Sequence, residues 1–142
     1  MEVSDVRRQL LQAIDRAKTR AQQRRDQTVA ADRAYATFLE EIAIPTTRMV
    51  ANVLKAEGYL FTVSTPSGAV RLASDRGRDD YIELALDNTG ETPTVAGHVR
   101  RTRGSRTIDD ERPIKPGAAP QDLSDVDVLA FLVTALEPWL ER

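Results

Sequence analysis

From Val3 to about Ala43 the chain contains neither glycine nor proline, and its apolar and small residues recur at alternating steps of three and four. Ile14, Ala17, Ala21, Arg24, Thr28, Ala31, Tyr35, Phe38 and Ile42 trace one such line, which Leu10 and Val3 extend upstream. This spacing is a heptad seam and predicts a single helix over about residues 4–43, with Ser4 or Asp5 as its cap. At 1.5 Å per residue that helix is roughly 60 Å long, more than one small domain can cover. Its uncovered part is expected to pack on a second copy of the chain, or on another protein, through a close alanine-rich contact. Arg24 and Thr28 would then set register or pairing direction, as buried polar seam residues do. The bland alternative is a solvated arginine-rich helix that projects or frays without a partner.

Ile44-Pro45 predicts a kink or a restart, because proline lacks the N–H donor and disfavours helical geometry before it. A second helix over about Thr46–Glu57 gathers Met49, Val50, Val53, Leu54 and Ala56 on one side, and Gly58 stops it. That side is assigned to the core, with a partner-binding groove as the sharper alternative.

The period then changes to two. YLFTVS (59–64), AVRLAS (69–74), YIELALD (81–87), TVAGHVRRT (94–102) and RTIDDER (106–112) alternate apolar with polar residues between turn signals. They predict a five-stranded antiparallel meander. A turn on Pro66-Ser67 sets Val63 opposite Val70 and Phe61 opposite Leu72. One on Thr89-Gly90 sets Leu84 opposite Val95 and Ile82 opposite Gly97. One on Gly104-Ser105 sets Arg101 opposite Ile108. All three put the large apolar side chains on one face, and a one-residue slip would turn them outward.

After the Pro/Gly/Ala loop at 113–120, Ser124 and Asp127 form a capping-box pattern ahead of a helix over about 125–137. This helix is apolar on nearly every side, so it must be covered on nearly every side. One flank suits the sheet. The other needs the second helix, the base of the long helix, or a subunit mate. Trp139 and Leu140, beyond Pro138, read as a final core plug. The fold class is α+β: a long N-terminal helix, a kinked second helix, a five-stranded antiparallel meander, and a C-terminal helix packed on the sheet. The domain reading is a helical arm over 1–57 and a globular unit over 58–142 that takes in the second helix.

Composition narrows the chemistry. With 142 residues, 41% hydrophobic and 30% charged, the chain can bury a core under a heavily solvated surface. It has no cysteine and a single histidine, which removes disulfides, thiolate zinc sites, cysteine nucleophiles and histidine-rich metal centres. No loop pattern for a hard cation is present, so no metal and no cofactor is expected. The charged N-terminus reads as no signal peptide, no apolar run approaches a membrane span, and the expected location is cytoplasmic.

Net charge is −2, yet RAKTRAQQRR (16–25) carries five basic residues and no acid. Arg16, Lys18, Arg20, Arg24 and Arg25 could therefore meet phosphates or an acidic partner. So could Arg101, Arg103 and Arg106 at the tip of the last hairpin. A near-neutral chain lacks the strongly basic footprint usual for nucleic-acid-binding domains. Within HVRRTRGSRTIDDER (98–112) the hairpin sets Arg100 opposite Asp109 and His98 opposite Glu111, so most of this run neutralises itself. Tyr81 falls beside His98, and Tyr81, His98 and Glu111 form a polar row that could in principle move a proton. The row lies on a face expected to be solvated, and no catalytic residue is assigned. The function these features favour is a non-enzymatic interaction or assembly protein, an adaptor or chaperone-like binder, dimerising through its long helix. The alternative is a nucleic-acid-associated protein using the arginine strip and the hairpin tip.

Overall fold

A computed structural model describes residues 1–77 and 79–141. Helix α1, Val3–Phe38, runs without a break through a π-helical turn, Leu39–Ala43, into α2, Ile44–Ala56. At Ile44-Pro45, where a kink or a restart is expected, a widened turn stands just ahead of the proline. Ile44 N–H donates to the Leu39 carbonyl, five residues back, and both Ala43 and Ile44 keep right-handed helical dihedrals. Proline would otherwise remove a ladder bond and press on the carbonyl four residues before it. Opening the ladder by one residue accommodates it.

Only Ala31, Tyr35 and Phe38 of α1 are buried, and no residue between Val3 and Ala30 is. The first 28 residues of the helix, about 42 Å by its rise, therefore stand clear of the head. Where α1 reaches the head, the Tyr35 hydroxyl donates to the Gly68 carbonyl at 2.5 Å. Burial, with the nearby Glu83 charge, pushes the Tyr35 phenol up to about 12.

Five strands follow in the order β1-β2-β3-β4-β5, all antiparallel: Phe61–Ser64, Val70–Ser74, Tyr81–Asp87, Thr94–Arg103 and Arg106–Pro113. The last hairpin has the expected register, with Arg101 opposite Ile108, Arg100 opposite Asp109 and His98 opposite Glu111. Its two-residue turn has Gly104 at φ +63 in the first central position, the glycine-first pattern of a type II′ hairpin.

The two earlier hairpins are each displaced by two residues from expectation. Val63 pairs with Leu72 and Phe61 with Ser74, while Leu84 pairs with Gly97 and Ile82 with Val99. Their loops are longer than two residues. A single 3-10 turn at Pro66–Gly68, with Ser67 at φ 45, opens the first. In the second, Asp87 accepts from the Thr89 amide and hydroxyl at 2.9 and 2.6 Å, ending the ladder at Asp87–Thr94. A displacement of two preserves side-chain parity, so the apolar face survives intact.

That face carries the core. Val70, Leu72, Ile82, Leu84 and Val95 lie against Val128, Leu132 and Leu136 of α3, Asp125–Leu140, with Phe38, Ala43 and Leu54 closing the side. The Ser124 hydroxyl and the Asp127 carboxylate cap α3 reciprocally; the Ser124 amide donates to Asp127 at 2.9 Å and holds its carboxyl below the ordinary range. α3 continues through Pro138, three residues past its expected end, and so carries Trp139 into the buried row, edge-on to Phe61 at 6.1 Å. Leu140 stays 37% exposed and is not part of the plug. Phe131 lies directly beneath Gly97, where a Cβ would collide with its ring. Coverage stops short of β5, whose residues are all exposed, Ile108 included. Among the described residues no helix is long and apolar enough to cross a membrane.

Candidate functional site

Three surfaces take up the sequence candidates. The first is the arm. Of the predicted seam, Ala31, Tyr35 and Phe38 are buried in the chain's own head and Ile42 packs against that core. The portion left open comprises Ile14, Ala17, Ala21, Arg24 and Thr28. Upstream, Val3, Val6, Leu10 and Ile14 recur on one side with Leu11 at its flank, exposed between 41% and 85%. Local pairs support the helix: Arg8 Nη2 meets Asp5 at 2.7 Å, Gln22 donates to Asp26 at 2.9 Å, and Arg25 donates to Gln22 at 2.7 Å. Thr28 returns its hydroxyl to the Arg24 carbonyl at 3.0 Å, so it is less available to a partner than its seam position suggests. Such pairs contribute about 0.2–0.5 kcal/mol each. Helix stability in proteins otherwise comes mainly from tertiary burial of an apolar face, which the arm lacks within its own chain.

The second surface is the open face of the sheet. Arg71 lies over the Tyr81 ring at 4.0 Å and bridges to Glu83 through Nε at 3.0 Å and Nη2 at 2.9 Å. Tyr81 meets His98 edge-on at 5.5 Å, although Glu83 is the residue directly across from His98. The His98 imidazole pairs with the Asp109 carboxylate, diagonally across the hairpin, and not with Glu111. The expected Arg100–Asp109 ion pair gives way to this contact, and Arg100 Nε is left without a hydrogen-bond partner. Tyr81 and His98 are therefore together, while Glu111 stands outside the group. These side chains are part-exposed to exposed on the sheet, and the ladder of opposite charges is what an antiparallel pair uses for stability and register. Among the described residues no three acidic or histidine side chains converge on one metal position.

At the hairpin tip Arg103 and Arg106 face each other, and with Arg101 they form no ion pair among the described residues. Arg101 and Arg103 edge an open cleft with Asp80 and Glu141, so acids already stand beside them. Arg16, Lys18, Arg20 and Arg24 are exposed on the arm and likewise unpaired among the described residues.

The third surface is a groove between α2 and α3. Met49 and Val53 on one side face Val126, Leu129 and Val133 on the other, each between 46% and 69% exposed, over an open volume of about 420 Å³. The all-round apolarity of α3 signalled it. Of the three covers the residue pattern allows, α2, the base of α1 or a subunit mate, α2 packs beside α3 through Leu54 and Leu136 but leaves Val126, Leu129 and Val133 exposed, and Met49 and Val53, expected in the core, are exposed with them.

No known protein family matches the chain, and comparison with curated proteins and with solved structures finds no match either.

Proposed function

We propose that this protein is a non-enzymatic interaction or assembly protein that dimerises through its long N-terminal helix and presents a compact head at the base of each arm. The observation that carries this reading is the arm: 28 residues of helix with an apolar stripe and no buried residue. Holding such a stripe in water forfeits roughly 25 cal/mol for every Å² of apolar surface a partner would cover. The polar face of the sheet supports the same reading, because Arg71 with Glu83 and His98 with Asp109 are paired there as cross-strand contacts. Pairing of two arms through Ala17 and Ala21 would bring their backbones close, with Ile14 at the end of the seam. An Ile14→Asp, Ala21→Asp double variant is then expected to sediment as a monomer while its head melts as in the wild type. An unchanged sedimentation coefficient contradicts the reading.

A second reading is favoured by one observation, the unpaired basic residues of the arm and hairpin tip. Arg16, Lys18, Arg20 and Arg24, with Arg103 and Arg106, would contact phosphates of a nucleic acid. Phosphate contacts release counterions, so this binding should weaken steeply with salt, whereas an apolar helix seam should respond little. Retention on single- or double-stranded DNA at about 50 mM salt and its loss by about 200 mM would support it. No retention at the lower salt contradicts it.

A further inference from the structure

The free part of the arm is graded in size. Its large seam residues, Val3, Val6, Leu10 and Ile14, all lie in the first half and are between 41% and 85% exposed. Its smaller ones, Ala17, Ala21 and Thr28, lie in the second. There Ala21, Arg24, Arg25 and Thr28 leave an open hollow on the helix surface, with Val29 at its edge. These four stand at i, i+3, i+4 and i+7, the spacing of the four-residue hole into which a facing helix inserts one side chain. Thr28 already donates its hydroxyl to the Arg24 carbonyl at 3.0 Å, so covering it strands no donor.

Size and charge decide the direction of pairing. Arms laid parallel and in register set Leu10 against Leu10 and Ala21 against Ala21, which holds the helices apart at the tip and draws them together below it. That arrangement also sets Arg24 against Arg24 and lays the basic run, residues 16–25, beside itself. Antiparallel arms set large against small along the whole contact, which keeps one spacing.

Length decides the register. Val3 opposite Thr28 places Leu10 opposite Ala21 and Ile14 opposite Ala17, and sends Val6 toward the hollow. The run 16–25, with its five basic residues, then faces residues 6–15, which hold two basic residues and one acid. The Arg24 and Arg25 stems flank Val6 while their charged ends reach water. This overlap uses the arm from Val3 to Thr28, about 39 Å by its rise, and stops just short of Ala31, where burial in the head begins. A slide of seven residues toward the head sets Lys18 on Lys18 and Arg20 on Arg20, and carries the tip onto Tyr35, which the head already buries. The opposite slide sets Leu10 on Ile14 and leaves the hollow half empty.

We infer that two copies pair antiparallel along Val3–Thr28, with Val6 of each arm seated in the hollow between Ala21 and Thr28 of the other, a contact that two-fold symmetry makes reciprocal. The inference rests on the dimeric reading above and specifies its direction and register. It makes the dimer a rod with a head at each end. The two Ala31 residues lie about 46 Å apart along the axis, so one dimer offers two separate heads to whatever they bind.

The chain has no cysteine, so placed ones report cleanly. A disulfide needs Cα atoms within about 7 Å. Leu10→Cys and Ala21→Cys change side chains outside the core and leave the head untouched. Mixed under mild oxidation, the two chains are expected to join to each other as a species of twice 15.8 kDa, well ahead of either linking to itself. Each linking only to itself, in a protein that light scattering shows to be a dimer, means parallel arms; it overturns the inference and leaves the dimeric reading standing. Preferential joining of Ala17→Cys to Ala21→Cys reports the seven-residue slide and overturns it likewise, as does a dimer in which Leu10→Cys and Ala21→Cys do not join. If the wild type has a mass of 15.8 kDa, the dimeric reading fails and the inference fails with it.

Discussion

Gly97→Ala tests the contact that seats α3 on the sheet. An alanine Cβ there would press into the Phe131 ring, with even the Cε2 carbon only 2.9 Å away. Phe131 is 6% exposed, packed within the core cluster, with the Arg112 guanidinium 5.7 Å from its ring. The ring therefore cannot simply swing into water. Forcing a methyl into such a site costs about 1–3 kcal/mol. Replacing glycine also narrows the unfolded ensemble, which returns about 0.4–1 kcal/mol. The net expectation is a loss of about 1–2 kcal/mol, or about 3–8 °C in Tm for a chain of this size. Urea unfolding followed by fluorescence reads it well, because the single tryptophan, Trp139, is 4% exposed on the same helix. Phe131→Leu in the Gly97→Ala background should recover part of the loss, giving a coupling of about 1 kcal/mol in a double-mutant cycle. Gly97→Ala at or above wild-type stability, or a cycle that closes additively, would refute the packing argument.

Thr47 is 1% exposed and its hydroxyl has no hydrogen-bond partner, so Thr47→Val should raise stability by about 1 kcal/mol in the same assay, and a loss would contradict the burial argument. Tyr35 has its folded pKa raised from 10.0 to about 12, so the neutral phenol is favoured on folding. Its contribution is complete below pH 10 and lost as pH rises toward 12, up to about 2–3 kcal/mol. Tyr35→Phe should flatten the stability profile over that window, and an unchanged profile would show that another group is responsible. Ser124→Ala removes the hydroxyl half of the α3 cap and should cost about 1 kcal/mol by denaturant unfolding, with no change counting against the cap.

Much of the architecture is legible in the residues for definite reasons. Period-two alternation fixes which way Val70, Leu72, Ile82 and Leu84 point, and the all-apolar α3 demands a sheet to lie on. Loop length is less legible. Pro66-Ser67 and Thr89-Gly90 both look like two-residue turns, but Ser67 takes a left-handed conformation and Asp87 binds Thr89, which lengthens both loops. The resulting shift of two residues is invisible to alternation. The π turn before Pro45 is hidden because the proline signals only a missing donor in the ladder, which a kink, a restart or a widened turn can each accommodate. On the polar face, directly opposed positions suggested Glu111 for His98, yet the imidazole reaches Asp109 on the diagonal. The seam forms one continuous line in the residues, although Tyr35 and Phe38 turn into the head and only the upstream part is free. Periodicity identifies an apolar side chain and its direction. It does not say whether the surface it meets belongs to the same chain.

The most direct test of the central claim is the solution mass of the untagged protein, by light scattering on a sizing column at low and high salt. A mass near twice 15.8 kDa at both salts is the result expected for a dimer joined through apolar arms. A mass of 15.8 kDa at both would contradict it and leave the arm an unpartnered, solvated helix.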